Sequence, residues 1–102
     1  MRLRFHPAAL AELEEAADYL ESQREGFGAL FFHEVTQRIA QAARWPRSGS
    51  PVVGFTQPRD VRQFVLTRYR YAIITAVVRG ERLVVAVAHT SRQPGFWRDR
   101  LR

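Results

Sequence analysis

His89 closes the apolar run Leu83–Ala88, and Arg92 follows it three residues later. Histidine is the side-chain type that exchanges protons near neutrality, and the chain has no other histidine after His33. Arg62, Arg79, Arg82 and Arg92 are available in the same half as phosphate ligands. One reaction to test such residues against is the cleavage of RNA by its own 2′-hydroxyl. That reaction needs a base for the hydroxyl, stabilisation of the phosphorane and an acid for the leaving oxygen. Guanidinium groups supply only the second role, because they do not lose their proton in proteins. All 16 basic residues are arginine, so no lysine is available, and Phe96-Trp97 in the tail has no side chain that exchanges a proton. A nuclease built on this chain would therefore depend on His89. The other reading of His89 is structural: a strand-terminal histidine hydrogen-bonded to the tail or to Tyr71.

A second set of residues suits contact rather than chemistry. Arg59, Arg62, Arg68 and Arg70 surround two expected strands. They are either solvated strand-end positions or a basic rim fitted to phosphate or to an acidic protein segment. Tyr71, His89, Arg92, Trp97 and Arg98 extend that candidate surface. Trp97 either packs the tail onto the sheet or offers an aromatic face to a partner. Trp45 reads as a core or loop-anchoring residue, His6 as a helix-start residue and His33 as a solvated helix position. The three histidines lack paired spacing, so no metal site is expected. No G-x-S-x-G, P-loop or G-x-G-x-x-G occurs, and no cofactor is expected.

Charge is divided along the chain. Residues 1–34 carry seven acids against three arginines, and residues 35–102 carry thirteen arginines against three acids. An acidic front and a basic back point to a polyanionic or acidic partner for the second half. The bland alternative is solubility with a bias toward arginine. The 102 residues suit one domain over their whole length, and the absence of cysteine excludes disulfides and thiolate metal sites. The first residues lack the apolar core of a signal peptide, and no apolar stretch is long enough for a membrane span. A cytoplasmic protein that does not engage membrane is the expectation.

The elements that must position these residues follow from periodicity. Arg2-Leu3-Arg4-Phe5 alternates as a short strand does, and Pro7 suits the first position of a helix. From Ala8 to about Arg24, Leu10, Leu13, Ala16, Ala17 and Leu20 recur at helical spacing opposite an acidic arc. Gly26-Phe27-Gly28 ends that helix, and a second runs to about Trp45 with Phe27, Phe31, Val35, Ile39 and Ala42 on one stripe. The short link predicts an antiparallel helical hairpin. Residues 46–58, rich in Pro, Gly and Ser, read as a surface loop. Strands are expected over Arg59–Leu66, Tyr71–Val78 and Leu83–Ala88, with Arg79-Gly80-Glu81-Arg82 as a hairpin turn. The fold class is α+β: an N-terminal strand, a helical hairpin on one face of a mostly antiparallel four-stranded sheet, and a short C-terminal helix or tail.

Three stretches resemble the RelE/ParE superfamily of toxins. The opening, His6-Pro7-Ala8-Ala9 through Glu12-Leu13-Glu14-Glu15-Ala16-Ala17-Asp18-Tyr19, is similar to the first helix of ParE-like plasmid-stabilisation toxins. Val61-Arg62 and Tyr69-Arg70-Tyr71-Ala72-Ile73-Ile74 resemble that family's arginine-bearing strand and aromatic hairpin. The segment Val85–Arg100 is the closest of the three. This resemblance implies a growth-inhibiting toxin of a type II toxin–antitoxin system, held in a hetero-oligomeric complex by an antitoxin with a DNA-binding N-terminal part. It implies DNA gyrase as the target if ParE-like, without chemistry of the toxin's own. It implies the ribosome and mRNA if RelE-like, with endoribonuclease activity. The residues lean toward ParE. A simple nucleic-acid-binding module is the third reading, unsupported by any helix-turn-helix, RNP or zinc signature.

Overall fold

The computed structural model describes residues 3–55 and 59–102. Arg2 of the expected first strand and residues 56–58 of the expected loop lie outside them. Strand β1 (Arg4–Phe5) leads directly into helix α1 (Pro7–Gln23). His6 caps that helix, its Nδ1 accepting the Ala8 amide at 3.1 Å, and Pro7 follows where a missing N–H costs nothing. Helix α2 (Phe27–Arg44) runs back against α1. The two pack closely because position 28 is glycine: a Cβ there would come within 2.9 Å of the Ala17 carbonyl and the Glu21 carboxylate. That carboxylate receives the amides of Gly26 and Gly28, which satisfies donors at the start of α2. These hydrogen bonds hold the Glu21 carboxyl below its ordinary value.

The sheet has the order β1-β5-β4-β3-β2, with β1 parallel to β5 and the other pairs antiparallel. The α+β expectation holds, with a fifth strand added to the expected four. This β2 (Ser50–Pro51) falls within the expected loop and pairs with β3 (Arg62–Val65) at the sheet edge, a place that tolerates proline. β3 is shorter than the expected Arg59–Leu66. Asp60 takes a left-handed φ of 42°, which breaks the extended backbone before Arg62. β4 (Tyr71–Val78) has the expected bounds, whereas β5 (Glu81–His89) is longer at both ends. A two-residue turn at Arg79 and Gly80, both with positive φ, joins them. A 3-10 turn at Arg98–Leu101 provides the short final helix.

Both faces of the sheet are covered, which explains why β4 and β5 are almost continuously apolar. Phe31 and Val35 of α2 and Leu13 and Ala16 of α1 pack on Phe64, Ile73, Val84 and Val87. On the opposite face Trp97 and Leu101 of the tail, with Val61, cover Ala72, Ile74, Val85 and Ala86. A bulge in β5 makes this division possible. Ile74 pairs with Ala86 but Thr75 pairs with Val84, so Val85 is the extra residue. It joins its neighbour Ala86 on the tail face instead of alternating with it.

Trp45 departs from expectation. It is 56% exposed, with the Arg44 guanidinium 4.6 Å above its ring. Its backbone does the anchoring: its carbonyl accepts from the Ser48 amide and hydroxyl just beyond α2.

Candidate functional site

The sequence-derived candidates separate into groups along the sheet. At the end of β4 and β5 away from the 79–80 turn, Tyr71 lies opposite His89, their rings edge to face at 5.4 Å. Phe31 approaches the same tyrosine from α2, its ring centroid 5.2 Å away. Burial, with Tyr19 adding to it, pushes the Tyr71 phenol above its ordinary value, so it remains a neutral donor at physiological pH. A shallow depression of about 250 Å³ is bounded here by Glu12, Glu15, Tyr19, Tyr71, His89 and Arg92. His89 Nδ1 receives the Ser91 amide at 3.1 Å and lies 2.7 Å from the Ser91 hydroxyl. The tight turn after β5 thus fixes the imidazole, and Nε2 is the nitrogen left to act elsewhere. Arg92 donates its amide to the His89 carbonyl and lays its guanidinium over Phe96 at 3.9 Å.

Arg62 and Arg82 lie in a different place and face inward. Arg62 is buried on β3. Its Nε donates to Asp60 at 3.0 Å, and one terminal nitrogen donates to the carbonyls of Arg47 and Gly49. Arg82 donates to the other Asp60 oxygen at 2.6 Å, and also to the Asp60 carbonyl and the Thr75 hydroxyl. Burial alone would raise the Asp60 carboxyl, but hydrogen bonds from Arg82 and Arg62 outweigh it and hold the group below its ordinary value. Arg82 pairs with Val77 and His89 with Tyr71 along the same ladder. Six residues of strand, roughly 20 Å, therefore separate the two groups. Arg62 and Arg82 do not converge with His89 on a single phosphate.

The remaining candidates are spread further. Arg68 and Arg70 are exposed on the β3–β4 turn, and Arg79 is exposed at the other end of the hairpin. Arg59 is half-buried, with its guanidinium at the Val77 carbonyl. Trp97 is buried against the sheet and Phe55, while Arg98 stacks on the outer side of Phe55. Of the two readings of Trp97, packing is the one the structure bears out. Among the described residues no three His, Asp or Glu side chains gather as a metal ion requires.

Three polar residues matter here that the sequence reading passed over. Asp60 organises the buried arginines; its signal was a lone carboxylate between Arg59 and Arg62 in a half with few acids. Glu12 of α1 grips Arg100 through both oxygens at 2.8 and 2.9 Å and also accepts the Val87 amide. Arg100 in turn donates to the Val85 carbonyl. This pair covers the edge of β5 that the two-residue β1 is too short to reach. Glu34 of α2 accepts the amide and hydroxyl of Thr67, tying the helix to the β3–β4 turn. Burial would raise the Glu34 carboxyl, but those bonds, with the Arg68 amide and Arg38, bring it below its ordinary value.

Two antiparallel helices over a mixed sheet, whose first strand enters parallel at one edge, are consistent with a RelE/ParE-like fold. The chain belongs to the ParE toxin family: the model of that family, described as the ParE toxin of the type II toxin–antitoxin system parDE, matches residues 3–94. Nearly the whole fold is covered, with Trp97, Arg100 and Leu101 of the tail beyond the match. No curated protein matches the chain significantly. A toxin of this class has a protein antitoxin as its partner. No helix among the described residues is long and apolar enough to cross a membrane.

Proposed function

We propose that the chain arrests growth by poisoning DNA gyrase through protein contact and is neutralised by an antitoxin encoded beside it. The observation that carries this reading is the family match over residues 3–94. The inward orientation of Arg62 and Arg82 supports it, because two of the four arginines best suited to phosphate already serve Asp60. The exposed Arg68, Arg70, Arg92 and Arg98 are the candidates for the target and antitoxin surfaces. The antitoxin combines a DNA-binding part with a segment that masks the toxin in a cytoplasmic hetero-oligomer.

One observation favours a second reading. His89 and Tyr71 face a common depression with Arg92, a grouping that offers a proton-transfer residue, a phenol and a phosphate ligand. A ribosome-dependent endoribonuclease would use them. Inducing the chain alone and measuring plasmid supercoiling beside the integrity of translated mRNA separates the two. Loss of supercoiling with intact mRNA is the expected result. Discrete translation-dependent cuts with normal supercoiling would replace the gyrase reading with the nuclease one.

A further inference from the structure

The β2–β3 connection carries an apolar side chain that folding leaves in water. Val53 is 95% exposed, against 46–58% for the other large exposed apolar residues. A slack loop would make this unremarkable, but the backbone around Val53 is tied down. The Phe55 amide donates to the Val52 carbonyl at 3.2 Å, and Gly54 takes a φ of +91°. This is the geometry of a tight turn with glycine in its third position and Val53 in its second. Both ends of the turn are fastened to the strand that follows: Val52 donates to the Val61 carbonyl at 3.0 Å, and Val61 donates back to that of Phe55. The Phe55 ring lies 5.0 Å from that of the buried Trp97. Val53 is thus held out on a rigid support, with little conformational freedom left to lose on contact.

Beside the turn is an open cleft of about 490 Å³. Pro51, Val52, Val53 and Phe55 supply apolar wall, Asp60 and Arg62 are at its base, and Arg47 is at its rim. The charge there is unbalanced. Among the described residues Asp60 is the one carboxylate lining the cleft, and Arg62 and Arg82 already hold it at 3.0 and 2.6 Å. Arg47 reaches the same carboxylate only at 3.9 Å, with 72% of its side chain in solvent. Three guanidinium groups therefore share one carboxylate, which leaves an excess of positive charge beside low-dielectric wall. An incoming carboxylate would meet a charged donor with unfilled hydrogen-bonding capacity.

We propose that the Val52–Phe55 turn and its cleft form a docking site for a segment of a partner protein that carries a carboxylate next to an apolar side chain. The carboxylate pairs with Arg47, and the apolar group enters between Pro51, Val52 and Phe55. Val53 closes over the segment from outside. The site stands at the sheet edge away from the His89 depression, and the inference does not depend on gyrase being the target.

The test is an amide-resolved NMR titration of the full chain with a blocked peptide of alternating glutamate and leucine. Amide shifts should be largest at Arg47 and Val52–Phe55. Arg47→Glu should weaken binding by about threefold to tenfold, the scale of one partly exposed ion pair turned into a repulsion. Val53→Ser should weaken it by a smaller factor. Both side chains are exposed, so unchanged shifts elsewhere in each variant would establish that it is folded. The proposal is overturned if the shifts gather elsewhere or are absent at millimolar peptide. It is equally overturned if a lysine–leucine peptide binds as well, or if Arg47→Glu has no effect.

Discussion

On the helix side of the sheet, whole elements deliver large apolar side chains: Phe31 and Val35 are fully buried, and Tyr69 and Tyr71 close around Phe31 edge to face. On the tail side the cover is a few residues of coil and a single 3-10 turn. Trp97 and Leu101 are its main apolar contribution, and one charged pair, Glu12 with Arg100, completes the attachment. The difference has a physical source. A helix of 17 or 18 residues buries an entire stripe and needs few specific bonds to stay in place. A short tail buries too little apolar area to offset its ordering entropy, so directional, charge-assisted bonds must hold it.

The largest effects should come from the apolar centre of the helix side and from the buried charge cluster on the same side of the sheet. Phe31→Ala should cost about 3–5 kcal/mol through lost burial and a cavity. Asp60→Ala should cost about as much, ~3–5 kcal/mol, by leaving two buried guanidinium groups facing each other without a counter-charge. Urea unfolding of the two variants checks both values. An Asp60→Ala cost below about 1 kcal/mol would mean that Arg62 and Arg82 are held by their carbonyl and hydroxyl partners without the carboxylate. Buried carboxylates and buried apolar groups differ in acid. Asp60 and Glu34 are both held below the ordinary carboxylate value, so their contribution is complete above the unfolded-state pKa and is lost as pH falls through the folded one. Stability should therefore decline below about pH 4. Asp60→Asn should flatten part of that decline, and Phe31→Ala should leave its slope unchanged.

A smaller effect is expected from Glu12→Gln, which removes the charge from the tail's bidentate clasp. About 1–3 kcal/mol is the cost of weakening a bond to a partly buried charged group. Its signature is local: the Val87 amide, which Glu12 accepts, should exchange with solvent faster while the amides of α2 keep their protection. Uniform acceleration throughout the molecule would show that the clasp stabilises the whole domain and not the tail alone.

The smallest effect on stability belongs to His89→Ala, within about 1 kcal/mol for a half-buried strand-end residue whose hydrogen bonds are local. Its effect on toxicity sharpens the functional reading. A protein-contact toxin should weaken by degrees. A nuclease relying on His89 should lose ~10²–10⁴ in cleavage rate, with folding intact. Growth arrest that fades but persists is the expected outcome, and complete loss in a folded variant would favour the nuclease.

Much of the architecture was legible because periodicity is a local property. The 3.6-residue recurrence of apolar groups specified the helical hairpin, the continuous apolar runs specified β4 and β5, and His6-Pro7 marked the start of α1 to within a residue. The order of the motifs along the chain was sufficient to suggest the family. Which arginine would be free was not legible, since all sixteen look alike in sequence. Arg62 and Arg82 face inward because a left-handed Asp60 turns its carboxylate between two strands, an arrangement that depends on backbone geometry and on residues 22 positions apart. The Glu12–Arg100 clasp spans 88 positions and exists only because the tail crosses beneath the open edge of β5. Patterning of apolar and polar residues determines which elements form and which faces they bury. The pairing of charges is decided only when distant segments are brought within a few ångströms, because hydrogen bonds and ion pairs are short-ranged and directional.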